Sequence, residues 1–237
     1  MAPALPPLTH LTASAGGSAA KRLGGRRLQQ LKAMPRRPGE ASFFWYDTQF
    51  GCEAVKVLPG EYFVSDEDLL VMTTLGSCIA ACLWDRKAQV GGLNHFMLPD
   101  GGPDAGLSSA GLSSAGRYGS FAMEVLINEL LKRGATRVTL EAKVFGGGQV
   151  IAEMASLNVG ERNTRFVLDY LRAERIAVVS KDVLGIHPRK VCFLPTSGKA
   201  MIKRLALAQT STLLAEERAA AQRAAHAARS GGSIDLF

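Results

Sequence analysis

The chain has 237 residues, 47% of them apolar and 21% charged, with a formal net charge of +7. That length suits one sizeable core with tails, and no apolar run reaches the ~18 residues that a membrane span needs. Six of the seven units of charge fall in residues 1–40, where Lys21, Arg22, Arg26, Arg27, Lys32, Arg36 and Arg37 face Glu40 alone; the rest of the chain is nearly neutral, which argues against nucleic-acid binding by the fold itself.

Residues 1–42 mix Pro, Gly, Ser and Arg with few large apolar groups, too few to offset chain entropy by burial. They read as a basic extension, disordered or weakly helical. No positive-then-apolar secretory segment opens the chain, so Cys52, Cys78, Cys82 and Cys192 are expected as reduced thiols in a cytoplasmic protein.

A folded domain is expected over 43–205. Ala54 to Leu58 alternates like a strand and ends on Pro59-Gly60. Leu69 to Thr74 and Ile79 to Trp84 are short β-rich runs flanking Gly76-Ser77-Cys78, and Val90 to Met97 is a further strand. Residues 100–117 repeat Gly-Leu-Ser-Ser-Ala and read as a surface loop. Tyr118 to Arg133 places Phe121, Val125, Leu126, Leu130 and Leu131 near a 3.6-residue period, a helix that Gly134 stops.

Val138 to Phe145 reads as a strand running into Gly146-Gly147-Gly148, Gly160 to Arg175 as a second amphipathic helix, and Ile176 to Ser180 and Lys190 to Leu194 as strands. The Ala-rich stretch from Met201 to Arg229 is expected to be helical, so that 206–237 form a C-terminal helix and short tail. Two central helices among six or seven short strands predict an α/β or α+β domain, a mixed β-sheet core with helices packed on it.

Cys78 follows Leu75-Gly76-Ser77, where glycine permits the tight backbone that lets a thiol protrude at a strand end. His95 stands seventeen residues on, in a separate strand able to pair beside the first. Imidazole beside a thiol takes its proton, and the thiolate is the form that attacks a carbonyl carbon. Both residues also fit core roles, and Cys78, Cys82 and His95 would make an incomplete zinc set. Cys82 lies on the same strand face as Cys78, as packing or as a resolving thiol. Gly146-Gly147-Gly148 lacks the Lys-Ser/Thr ending of a phosphate loop; it reads as a turn or as a close backbone approach to a substrate.

Thr73-Thr74-Leu75-Gly76-Ser77-Cys78-Ile79-Ala80-Ala81-Cys82-Leu83-Trp84-Asp85 and Gly91-Gly92-Leu93-Asn94-His95-Phe96-Met97-Leu98-Pro99 resemble two signature blocks of the CheD family. Lys143 to Gly148, Asn158 to Asn163, Arg189-Lys190-Val191 and Ser197-Gly198-Lys199 resemble later blocks in the same order, so the resemblance spans roughly 52–205. It implies a cytoplasmic cysteine hydrolase that deamidates glutamine side chains of chemoreceptors, with Cys78 as nucleophile, His95 as base, and Thr73, or its neighbour Thr74, as a third site residue. It implies no metal or organic cofactor. The implied partners are chemoreceptor cytoplasmic helices and a CheC-type phosphatase, and the rival reading is a noncatalytic chemotaxis adaptor on the same fold. His187, in a segment where relatives tend to be glycine-rich, is expected to be peripheral.

Overall fold

The computed structural model describes residues 17–97, 114–150 and 159–206, with helical positions at 215 and 219. Among the described residues ten strands form two five-stranded sheets. The first runs in the order β1 (Phe43–Asp47), β2 (Cys52–Lys56), β4 (Leu70–Leu75), β9 (Arg189–Leu194), β10 (Lys199–Arg204). The second runs β3 (Tyr62–Ser65), β6 (Val90–Phe96), β5 (Ile79–Asp85), β7 (Leu140–Gly146), β8 (Ala177–Val183). Each sheet is mixed, with one parallel pairing, β2 with β4 and β7 with β8, among antiparallel ones.

The period-2 alternation of strands sorts the side chains into layers. On β5, Ala80 and Cys82 join Cys78 in a buried cluster with Val55, Val71, Leu75, Val191 and Phe193 of the first sheet. The intervening Ile79, Ala81 and Leu83 face the opposite way, against Met123, Leu126, Ile127 and Leu130 of α2 (Ser114–Leu131) and Val167 and Leu171 of α3 (Val159–Ala173). The sheets therefore face each other across one apolar layer, and α2 and α3 cover the outer face of the second sheet. A mixed β core with helices packed on it is the fold class expected from the sequence.

Several elements differ from that reading. The helix α1 (Gly17–Ala33) lies inside the basic extension, and its Leu31 is buried in the inter-sheet cluster. From about Arg27 the extension is thus part of the packed structure, because leucines at helical spacing bury while the arginines between them find carboxylates. Residues 1–16 lie outside the described residues. Strands β1 and β3 were not anticipated: Phe-Phe-Trp-Tyr-Asp and Tyr-Phe-Val-Ser carry no apolar–polar alternation to mark them. Met201 to Arg204, expected to open the Ala-rich helix, instead forms β10, where Met201 pairs with Cys192 and Ile202 with Val191. A hairpin partner one short turn away overrides the weak local helix preference there. α2 begins at Ser114, inside the stretch expected to be loop; 98–113 and most of 207–237 lie outside the described residues.

Candidate active site

The chain crosses from the first sheet to the second between Leu75, the end of β4, and Ile79, the start of β5. Gly76-Ser77-Cys78 makes that crossing. Each of its three carbonyls accepts a hydrogen bond from another element: Gly76 O from Gly148 N at 2.7 Å, Cys78 O from Gly147 N at 2.8 Å, and Ser77 O from Asn163 Nδ2 at 2.9 Å. Gly146 and Gly147 take φ of +112° and +66°, and a Cβ at Gly146 would stand 2.1 Å from the Cys78 carbonyl oxygen. The triple glycine, read as a turn or as a close backbone approach to a substrate, forms a turn whose close approach is to another segment of the chain. What it approaches is the cysteine segment.

His95 arrives from β6. The register pairs Ala80 with His95, so His95 shares the inner face with Ala80 and stands diagonally across from Cys78. Diagonal neighbours in an antiparallel pair lie about 7–8 Å apart, a span that an imidazole bridges toward a thiol. The main chain of His95 is held on both sides by one turn, since its amide donates to Glu61 O at 2.9 Å and its carbonyl accepts from Gly60 N at 2.7 Å.

Thr73 comes from the facing sheet. Its Oγ1 lies 2.8 Å from His95 Nδ1 and donates to Val57 O, also at 2.8 Å. A hydroxyl has one proton; given to Val57, it leaves the Thr73 oxygen to accept from Nδ1–H. That count fixes the neutral imidazole as the Nδ1–H tautomer, with Nε2 as the basic nitrogen. Thr74, the alternative, points to the other face of β4 by strand alternation and does not meet His95.

The three residues are buried between the sheets, with Cys78 0% and Thr73 and His95 each 2% exposed. A cavity of about 150 Å³, lined by Gly60, Tyr62, Asn94, His95, Phe121 and Val125 among others, adjoins His95. A larger cleft of about 550 Å³ between α3 and β8 touches none of the three.

The other thiols are different. Burial pushes the Cys82 thiol up, against a smaller opposing effect of Lys143, and burial also raises Cys52 and Cys192. Cys82 pairs with Leu93, four residues along β5 from Cys78 and so about 13 Å away, too far to share a metal ion or a disulfide with it. Among the described residues no three His, Cys, Asp or Glu side chains are gathered to hold a metal ion. His187 is exposed in the β8–β9 turn. Asn163 is the polar residue that sequence reasoning left without a role. It lies 86 residues from Ser77, a separation that no local pattern bridges.

A thiol, an imidazole oriented by a hydroxyl, and a backbone crossing pinned by its carbonyls are the groups that thiol-dependent acyl transfer uses. Sequence comparison places the chain more narrowly: it belongs to the CheD family. The family model described as CheD chemotactic sensory transduction matches residues 97–204, a span that begins just beyond His95. The chain is 61% identical over 211 residues to "Probable chemoreceptor glutamine deamidase CheD 1" of Albidiferax ferrireducens, covering 89% of this chain and 87% of that one. It is 51% identical over 197 residues to "Probable chemoreceptor glutamine deamidase CheD" of Thiobacillus denitrificans, covering 83% and 96%. Among solved structures, the hypothetical protein YfiH of Bacillus licheniformis is similar at TM-score 0.32 and 11% identity over 52% of this chain and 51% of that one, a likeness that carries no argument about chemistry.

Proposed function

We propose that this protein is a cytoplasmic chemoreceptor glutamine deamidase, converting specific glutamine side chains on receptor helices to glutamate with release of ammonia. The observation that carries the reading is the 2.8 Å contact of Thr73 Oγ1 with His95 Nδ1 on the inner face that also bears Cys78. The names of the relatives supply the substrate class.

In the first half-reaction His95 Nε2 takes the thiol proton and Cys78 Sγ bonds to the carboxamide carbon, giving a tetrahedral oxyanion. Collapse breaks the C–N bond, His95 returns the proton to the leaving nitrogen, and ammonia departs, leaving a thioester on Cys78. In the second, His95 takes a proton from water, hydroxide adds to the thioester carbon, and the C–S bond breaks. The carboxylate leaves and the thiol is restored. Thr73 keeps the imidazole in the required tautomer, and backbone amides near Cys78 stabilise the oxyanion.

The test is incubation with a receptor cytoplasmic fragment, reading ammonia and the mass of the modified peptide. The expected result is amide-to-acid conversion with an uncut backbone, lost in Cys78→Ala and kept in Cys82→Ser. Turnover by Cys78→Ala would overturn the assignment. Receptor binding without ammonia release from the wild type would favour the adaptor reading, including an adaptor for a CheC-type phosphatase.

A further inference from the structure

The Cys78 crossing is anchored through three carbonyls, and two of the three donors are main-chain amides of the glycine turn. The third is a side chain. Asn163, on the second turn of α3 and 0% exposed, reaches the crossing between the sheets to donate from Nδ2 to Ser77 O at 2.9 Å. Ser77 C=O and Cys78 N–H belong to the same peptide unit, which is planar and trans, so the two bonds point in opposite directions. Holding the carbonyl toward α3 turns the Cys78 amide away from it. A nucleophile's own amide is a natural oxyanion donor, because the tetrahedral carbon is bonded to the adjacent side chain.

We infer that Asn163 is a positioning residue for the deamidation: by fixing the Ser77–Cys78 peptide plane it aims the Cys78 amide at the developing oxyanion. The inference rests on the deamidase reading above and adds a residue and a role to it. The surroundings make Asn163 a rigid anchor. Its neighbour Thr164 donates back to Gly160 O at 2.8 Å within α3, and Gly160 packs so closely on Gly147 that a Cβ there would stand 2.3 Å from the Gly147 oxygen. The first turns of α3 are thereby locked to the glycine turn that holds the other two carbonyls. Asparagine suits the place because a buried carbonyl needs a donor and a neutral amide supplies one without bringing a charge.

The test separates oxyanion stabilisation from thiol reactivity. Displacement of iodide from iodoacetamide by Cys78 forms an S–C bond at a saturated carbon and develops no oxyanion, whereas deamidation does. Deleting an oxyanion donor outright costs about 10²–10³ in kcat, so merely releasing its orientation, in Asn163→Ala, is expected to lower kcat about 10–10²-fold. KM for the receptor fragment and the rate of Cys78 alkylation, followed by peptide mass, should stay at wild-type values.

Asn163→Asp keeps the volume and serves if the alanine variant does not fold. A protonated aspartic acid still donates to Ser77 O, but the carboxylate repels it, so kcat relative to wild type should fall as pH rises. Wild-type kcat in a folded alanine variant, or a pH-independent ratio for the aspartate variant, would overturn the inference. Alkylation slowing in step with kcat would also do so, by placing the effect on the thiol, and unfolding of both variants would make Asn163 purely structural. A wild-type protein that releases no ammonia overturns the deamidase reading itself, and this inference with it.

Discussion

Thr73 makes two bonds through one hydroxyl, so its loss has two separable consequences. Thr73→Val, nearly isosteric, removes the donor to the buried Val57 carbonyl and the acceptor for His95 Nδ1–H. Leaving a buried carbonyl unsatisfied costs about 1–3 kcal/mol, which denaturant melts will read. Freeing the imidazole should lower kcat about 10²-fold, within the range that general-base catalysis supplies. Thr73→Ser, which keeps the hydroxyl, should recover most of both, and an undiminished kcat in the valine variant would remove Thr73 from the reaction. At this scale the sequence shows Cys78 and His95 through their motif blocks, and it narrows the threonine to a pair. Strand parity separates the two in space: Val71, Thr73 and Leu75 share a face with the buried inter-sheet cluster and Thr74 does not, a distinction that needs the facing sheet to be known. The partnership of Asn163 with Ser77 depends entirely on tertiary folding.

Among the elements, the glycine turn after β7 and the hairpin turn after β5 make opposite kinds of demand. The first needs absent side chains: a Cβ at Gly147 would stand 2.2 Å from Thr164 Oγ1 in a backbone with φ of +66°, where a side chain already costs about 1–2 kcal/mol. Gly147→Ala should therefore lower stability and shift the amide that anchors Cys78 O, so that activity per folded molecule falls with Tm. Equal activity per folded molecule would detach the turn from catalysis. The second turn needs a charge. Burial pushes the Asp85 carboxyl up, but hydrogen bonds from Thr139 Oγ1 and the amides of Thr136, Ala88 and Lys87 together outweigh it and hold the carboxyl below its ordinary value. A folded value below the unfolded one gives stability that is complete above the unfolded pKa and lost as pH falls through the folded one. Asp85→Asn should be less stable than wild type at neutral pH and should lose less on acidification, measured as the acid-side slope of Tm against pH; parallel slopes would contradict the linkage. The helices α2 and α3 and most central strands were legible from periodicity and glycine punctuation, whereas the packed helix α1 was not. β1, β3 and β10 were not, because aromatic runs and an Ala-flanked strand carry no alternation, and their identity comes from the strands they pair with.

For the molecule as a whole, the basic extension is the segment whose composition and packing disagree most. Its arginines have specific partners: Arg27 donates to Glu67 at 3.1 Å and to Asp68 O at 2.9 Å, Arg36 stacks 4.5 Å from the Phe44 ring centroid, and Arg37 joins Lys132 and Arg133 around the nearly buried Glu129 on α2. A carboxylate that deep is tolerable only when cations offset its desolvation, and the extension supplies one of the three. Composition measured over forty residues averages these contacts away. Beyond α1 the chain lies against β3, with Ala41 N donating to Tyr62 O at 2.9 Å and Tyr62 N to Gly39 O at 3.0 Å. Tyr62 directly follows the Gly60–Glu61 turn that holds the His95 main chain. Two truncations and one substitution should therefore part ways. Deleting residues 1–16 removes none of these contacts and should leave Tm and kcat unchanged. Leu31→Ala, which empties a buried leucine site in a helix that packs on β1 and β2, should cost about 2–4 kcal/mol of stability with kcat preserved in the folded fraction. Deleting residues 1–42 should lower both, because it strips β3 of the chain that braces the turn beneath His95. A 1–42 deletion that melts and turns over like the full chain would show that the extension is no part of the working fold.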